Sequence, residues 1–81
     1  MASLKARMRH SKDEDMSSID EVKAEIRKLS SRATNMKMAL HDLSEDLPIN
    51  WTTIMTVAQQ AHDAYAALEE ARQRLKALED A

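Results

Sequence analysis

The sequence predicts an all-α protein: a two-helix antiparallel hairpin, coiled-coil-like in its packing, that dimerises into a four-helix bundle or rod. Three observations predict this fold. The 81 residues include no glycine and a single proline, while Ala, Leu, Met, Glu, Lys and Arg are abundant, a composition that favours uninterrupted helix. Two long stretches carry apolar residues at alternating spacings of three and four, the spacing of a helical packing face. One short polar segment, which contains the proline, separates them.

The first segment, residues 1–16, is predicted to be a disordered charged tail. It carries basic and acidic side chains but no sustained apolar period, so it has little apolar surface with which to offset the entropy of ordering. A basic arm that docks an acidic partner is the alternative for this segment. Met16 is an alternative first residue of the protein.

Helix 1 is predicted over about residues 18–42. Ser18 and Glu21 have the spacing of a capping box, in which each side chain bonds the backbone N–H of the other. The apolar positions that follow, with Leu43 just beyond the helix, are Ile19, Val22, Ile26, Leu29, Ala33, Met36, Leu40 and Leu43. Their 3-4 alternation continues for more than three heptads and predicts coiled-coil packing.

A turn over about residues 43–49 should end the first helix, because Pro48 cannot occupy a helix interior. Leu43 and Leu47 are apolar residues within an otherwise polar turn. We expect them to plug the closed end of the hairpin. Asn50 is expected to cap the next helix.

Helix 2 is predicted over about residues 50–79. Its apolar positions, again spaced 3-4, are Ile54, Val57, Ala61, Ala64, Leu68, Ala71, Leu75 and Leu78. We call these positions and those of helix 1 the seam. So short a turn requires the two seams to pack antiparallel. The predicted layers are Leu40/Ile54, Met36/Val57, Ala33/Ala61, Leu29/Ala64, Ile26/Leu68, Val22/Ala71 and Ile19/Leu75. Large residues mostly face small ones, but Ala33/Ala61 requires either a close helix approach or a filled gap.

A second apolar set lies beside the seam of helix 2. Its members, spaced 4-3-4-3, are Trp51, Met55, Ala58, His62 and Tyr65. We call this set the stripe, and Met38 and Ala39 of helix 1 are expected to extend it. A helix with two apolar faces has two neighbours, so the stripe and Met38 are predicted to form a homodimer interface anchored by Trp51 and Tyr65. The alternative is that these residues only widen the contact within one hairpin.

Catalysis is not predicted, because a two-helix rod offers little concavity in which reactive groups can converge. Without cysteine there is no disulfide framework and no Cys-based metal site. The three histidines, His10, His41 and His62, do not complete a ligand set. We therefore predict no enzyme, no cofactor and no metal residues, while a metal-binding accessory protein stays open as an alternative.

Charge and hydropathy limit which classes of partner and which cellular location are expected. The net charge is −2, which gives no strong counterion-release term on nucleic acid, so nucleic acid is not the expected partner. No apolar run approaches the length of a membrane span, and the N-terminus lacks the apolar core of a signal peptide. We expect a soluble, cytoplasmic protein.

The middle of the chain also carries a family pattern. Its most specific part is K-M-x-L-H-D-L-x-E-x-L-P, which begins at Lys37 and ends at Pro48. Further matching positions are Ile26-Arg27-Lys28-Leu29, Arg32-Ala33-Thr34, Met36, Trp51, Ile54, Val57-Ala58, Ala64-Tyr65 and Leu68. Over about residues 19–79 the chain resembles the small Rop-like proteins encoded in bacterial nitrogen-fixation gene clusters. It departs from them at Ala39, where an Asp is expected in close relatives.

The resemblance implies a two-helix hairpin that forms a rod-like dimer, with a role around nitrogenase. We therefore expect a non-catalytic helical accessory or adaptor protein of nitrogen fixation, in nitrogenase maturation or electron supply, with itself and nitrogenase-related proteins as partners. The turn is the candidate docking surface, through His41, Asp42, Glu45 and Asp46. The alternatives are a Rop-like RNA-binding regulator and the metal-binding accessory protein.

Overall fold

The fold is a helical hairpin, as predicted. A computed structural model describes the backbone of residues 2–80 and the side chains of residues 18–80. Helix α1 spans Ala2–Asp46, a single 3-10 turn spans Trp51–Thr53, and helix α2 spans Ile54–Asp80. The two long helices pack against each other along their seams.

The start of α1 differs from the predicted boundary. The helix is continuous through Ser18, so the capping box predicted there is not formed, because a capping serine has to stand outside the helix it caps. The side chains of residues 1–16, where the sequence predicts a disordered charged tail, lie outside the described range. The disordered tail stays a prediction.

The core consists of the predicted seam. The buried apolar residues are Val22, Ala33, Leu43, Ala61, Ala64, Leu68 and Ala71, and every one of them is a seam position. At the centre Ala33 packs with Ala64 and Leu68, and larger side chains of α1 close around them. Among the described residues no large side chain is fully buried. The core is therefore one layer thick, and alanines provide most of its buried positions on α2.

The layers near the closed end are looser than predicted. Ala33 and Ala61 are both buried, so the alanine layer is closed within the hairpin. Leu40 is 38% exposed and Leu47 is 41% exposed, whereas Leu43 is only 8% exposed. The prediction that Leu43 plugs the closed end is confirmed and the same prediction for Leu47 is wrong, because Leu47 follows the end of α1.

The chain reverses between α1 and the 3-10 turn. Helix α1 runs to Asp46, four positions past the predicted end near 42, and the Leu47 N–H still donates to the Leu43 carbonyl at 3.1 Å. The Ile49 N–H then donates to the Asp46 carbonyl at 2.9 Å. The peptide bond between Leu47 and Pro48 is cis. The two hydrogen bonds continue the backbone pairing of α1 into the turn.

Asn50 ends the reversal in a left-handed conformation, with φ of 63° and ψ of 23°. Its side chain makes no capping hydrogen bond, so the predicted Asn50 side-chain cap is wrong. A side-chain cap needs extended backbone at the capping residue, whereas asparagine is here placed where the chain needs positive φ. Its carbonyl instead accepts bonds from the Thr53 N–H at 3.0 Å and the Thr53 Oγ1 at 2.8 Å.

Candidate interaction surface

An ion pair across the hairpin identifies its two sides. The Arg74 Nη2 donates to the Glu25 Oε1 at 2.9 Å. Each partner directly precedes a seam residue. Glu25 precedes Ile26, and Arg74 precedes Leu75. Positions that precede seam residues therefore share one side of the hairpin, which we call the Glu25 side. Positions that follow seam residues share the opposite side, since each step along a helix turns by about 100°.

The stripe lies along that opposite side, which we call the stripe side. Each of its last four members comes one position after a seam residue of α2. Met55 is 79% exposed, Trp51 64% and Tyr65 44%. His62 is also exposed, and Ala58 is half-buried. Such exposure of Met55 and Trp51 contradicts the alternative that the stripe serves only to widen the contact within one hairpin.

The stripe occupies only the half of α2 nearest the turn. Continuing its spacing past Tyr65 leads to Glu69 and then Arg72, both of which are exposed. The surface of α2 on this side is therefore apolar near the closed end and charged toward the open end. A contiguous apolar patch with a charged border is typical of a protein–protein contact rather than of a general surface.

Met38 does not extend the stripe, contrary to the prediction. It is 51% exposed and comes two positions after Met36, which packs against the core. Two helical steps turn by about 200°, so Met38 points away from α2. Ala39 precedes the seam residue Leu40 and is half-buried, which places it on the Glu25 side. We therefore leave Met38 out of the dimer interface proposed below.

The four turn residues predicted to dock a partner lie in the last turns of α1. The His41 Nε2 and the Glu45 Oε1 are 3.3 Å apart and both side chains are exposed. His41 follows the seam residue Leu40 and lies on the stripe side. Glu45 comes two positions after Leu43, so it points away from α2. Asp42 precedes Leu43 and lies on the Glu25 side. The structure therefore divides the predicted docking turn among different sides of the rod's closed end.

Two apolar residues at the closed end are exposed although the sequence did not predict it: Leu47 was expected to be buried, and Ile49 was not considered. Ile49 is 68% exposed and Leu47 is 41% exposed. The position of Ile49 between Pro48 and Asn50, outside both seams, was the sequence feature that indicated its exposure. The tip of the hairpin is consequently apolar as well as acidic.

The stripe has one carboxylate next to it with an altered pKa. Hydrogen bonding from Gln59, and then from His62, lowers the pKa of Asp63. The Gln59 Nε2 donates to the Asp63 Oδ1 at 2.8 Å, and the His62 Nδ1 lies 3.4 Å from the same oxygen. The Asp63 carboxylate therefore contacts two side chains that precede it along the helix, Gln59 and His62.

The hairpin also contains a small groove on the Glu25 side. It measures about 120 Å³ and is lined by Leu29, Arg32, Asp63, Ala64 and Ala67. Organic ligands usually occupy pockets of roughly 300 Å³ or more, so this groove is too small for a cofactor. Within the described residues no three His, Asp or Glu side chains converge to hold a metal ion. In the same part of the chain, no helix has the length and apolarity to cross a membrane.

A family model described as Rop-like matches residues 17–80. The chain belongs to the Rop-like family. The resemblance seen in the sequence is thereby confirmed, and the matched residues include both seams, the stripe and the turn. The charged tail over residues 1–16 lies outside the match.

Relatives of this Rop-like protein occur in several bacteria. A UPF0437 protein of Azorhizobium caulinodans is 56% identical over 64 residues, which cover 79% of this chain and 93% of the relative. A UPF0437 protein of a Nostoc species is 47% identical, over 79% of this chain and 90% of the relative. A third, from Frankia alni, is described as a UPF0437 protein in the nifX-nifW intergenic region; it is 54% identical over 53% of this chain and 52% of its own length.

A solved structure shares the fold. It is the NMR structure of a structural-genomics target that is 47% identical to this chain, with a TM-score of 0.72. The match covers 76% of this chain and 87% of that one. None of these names indicates a catalytic family.

Proposed function

We propose that this Rop-like protein is a non-catalytic adaptor of nitrogen fixation, which acts through protein–protein contacts in nitrogenase maturation or electron supply. The observation that carries the proposal is the Frankia alni relative from the nifX-nifW intergenic region. The exposed stripe supports it, because a small protein with a thin core and a large exposed apolar face is suited to binding other proteins.

The first contact in this proposal is with a second copy of the chain. Trp51 of the 3-10 turn and Met55 and Tyr65 of α2 expose apolar surface, together with Ala58 and His62. A hairpin in which no described large side chain is fully buried gains stability from any further burial, since small cores are marginal. We place the homodimer interface at the stripe, without Met38.

The second contact is at the acidic closed end. The last turns of α1 hold Asp42, Glu45 and Asp46 and no basic residue in the last turn. Carboxylates there face the negative end of the helix dipole, and each costs about 0.3–1 kcal/mol of stability when exposed. Residues that destabilise the local structure in which they stand are typical of functional sites. We propose that these carboxylates and His41, beside the exposed Ile49, dock a nitrogenase-related protein.

A pull-down tests the adaptor role. The tagged full chain and a His41→Ala/Asp42→Ala/Asp46→Ala variant would be used to capture proteins from source cells grown on dinitrogen as the only nitrogen source. We expect the unaltered chain to retain a nitrogenase component or maturation protein and the variant to lose it, because these side chains support little else in the hairpin. Circular dichroism checks that the variant is folded.

The matched control is Glu21→Ala/Glu79→Ala, which removes two exposed acids near the open end. It should retain the same protein as the unaltered chain. Equal recovery by the triple variant would exclude the turn as the docking site. If the unaltered chain captures no nitrogen-fixation protein, the adaptor role itself is wrong.

A further inference from the structure

We propose that the two hairpins overlap only over their closed halves, antiparallel, with Ala58 of both protomers at the two-fold axis. This arrangement rests on the stripe-mediated dimer proposed above and specifies its geometry. The occupant of the stripe is a second copy of this chain, displaced along the rod so that the two open ends extend in opposite directions.

The spacing of the stripe residues is nearly symmetric about Ala58, the smallest of them. Trp51 and Tyr65 each stand seven positions from Ala58. Met55 and His62 stand three and four positions from it. A two-fold axis at Ala58 therefore sets Trp51 against Tyr65 of the partner subunit and Met55 against His62 of the partner subunit. An interface between identical copies has to be self-complementary in this way, and the small central residue lets the two α2 helices approach closely.

A dimer in which the hairpins overlap along their whole length leaves the stripe poorly matched. Its axis would lie near Tyr65, midway between Trp51 and Asp80. That arrangement sets Trp51 against Asp80 of the partner subunit and Met55 against Lys76 of the partner subunit. Burying apolar side chains against charged groups desolvates those charges without pairing them. The staggered overlap sets apolar residues against each other along most of the stripe.

In a parallel dimer each stripe residue faces its own copy in the partner, but acidic groups of the two protomers would repel each other. It would bring the acidic closed ends of both protomers together, within the roughly 10 Å over which exposed charges act at moderate ionic strength. In the antiparallel arrangement, Arg72 of the partner subunit lies about 10 Å past the level of Trp51. Its long side chain leans back toward the start of its helix, which is toward Glu45 at the acidic closed end. Charge complementarity therefore favours the antiparallel sense.

Cysteine cross-linking tests the arrangement, because the chain has no native cysteine. Single variants Ala58→Cys, Met55→Cys and Tyr65→Cys would be oxidised gently in the full-length protein. A disulfide needs Cα atoms closer than about 7 Å, so only the residue at the axis should link to its own copy. We expect Ala58→Cys to form covalent dimers at least tenfold faster than the other two. Comparable linking of Met55→Cys indicates a parallel dimer, and faster linking of Tyr65→Cys indicates full overlap; either overturns the proposal.

Sedimentation equilibrium of the unoxidised proteins distinguishes a failure of the staggered arrangement from a failure of the homodimer on which it rests. A monomeric unaltered chain overturns the dimer and the arrangement together, whereas a dimer with the wrong linking pattern overturns the arrangement alone. Charge reversal gives an independent measure. Glu45→Lys and Arg72→Glu should each raise the dimer dissociation constant roughly fivefold, and the double variant should restore it. Lys28→Glu, near the middle of the hairpin on the Glu25 side, is the control and should leave the dissociation constant unchanged. Failure of the double variant to restore the dissociation constant contradicts the proposal.

Discussion

Arg74 of α2 and Glu25 of α1, 49 positions apart in sequence, are joined by a 2.9 Å hydrogen bond across the hairpin. The bond shows which faces of the two helices share a side, and so it separates the stripe from the opposite face. It does not set the register by itself, because both side chains are nearly half exposed. The buried seam residues set the register, and the ion pair follows from it.

Removing this ion pair should cost little stability. We expect Arg74→Ala to lower the free energy of unfolding by less than about 1 kcal/mol, since exposed pairs gain little over their hydrated ions. Urea unfolding of Arg74→Ala, Glu25→Ala and the double variant would give the coupling energy, which should fall further in high salt. A coupling energy above about 2 kcal/mol would show that the pair, rather than the seam, holds the register.

Enlarging a seam alanine should be much more damaging. Ala71 is completely buried, so Ala71→Leu should lower the free energy of unfolding by about 1–3 kcal/mol, because added methyl groups force the helices apart. Urea unfolding measures this loss. The matched control is Ala66→Leu, at an exposed position of the same helix, which should be nearly neutral. Equal effects at the two positions would contradict the close packing of α2 on α1.

The left-handed residue in the turn gives a third prediction. Asn50→Ala should destabilise the hairpin by about 1–2 kcal/mol, because a side chain other than Asn or Gly resists positive φ. Asn50→Gly should retain stability close to that of the unaltered protein, since glycine accepts this conformation freely. Thermal unfolding of both variants is the measurement. A fully stable Asn50→Ala would mean that the turn in solution does not need positive φ at this residue.

Asp63 reports on the contacts beside the stripe. Gln59 is the main cause of its lowered pKa, so Gln59→Ala should raise the pKa of Asp63 toward its ordinary value in an NMR titration. A carboxyl whose pKa is lowered by folding stabilises the fold above its unfolded pKa, and that contribution is lost as the pH falls through the folded pKa. The variant should thus lose part of this acid dependence. An unchanged Asp63 titration would show that the Gln59 bond is not populated in solution.

The seam could be predicted from the sequence because one physical rule controls it. Apolar residues spaced 3-4 on a helix share a face, and every buried apolar residue, from Val22 to Ala71, is one that this spacing identifies. The details of the turn could not be predicted in the same way. Asp42 and Ser44 are residue types that favour turns, yet α1 continues to Asp46. The helix propensity of single residues is a weak signal, which the rest of the structure can override.

The exposed apolar residues beside the seam of α2 were predicted from the sequence, whereas the predicted extension of this surface onto α1 differs from the structure. Four of the five stripe residues directly follow seam residues of α2, so their shared side could be deduced from spacing alone. Met38 was assigned to the same surface because it is apolar, but its position two residues after Met36 turns it away from α2. Ile49 was missed because a single apolar residue in a turn has no period to reveal it. Only the path of the chain shows that it is exposed.

The measurement that tests the adaptor dimer most directly is sedimentation equilibrium of the full chain, compared with Met55→Glu. Met55 is 79% exposed within one hairpin, so the variant should fold normally while placing a charge in the stripe. At high-micromolar concentration we predict twice the mass of the chain for the unaltered protein and the mass of one helical chain for Met55→Glu. A folded, monomeric unaltered protein, or a Met55→Glu variant that stays dimeric, would contradict the role proposed for the stripe.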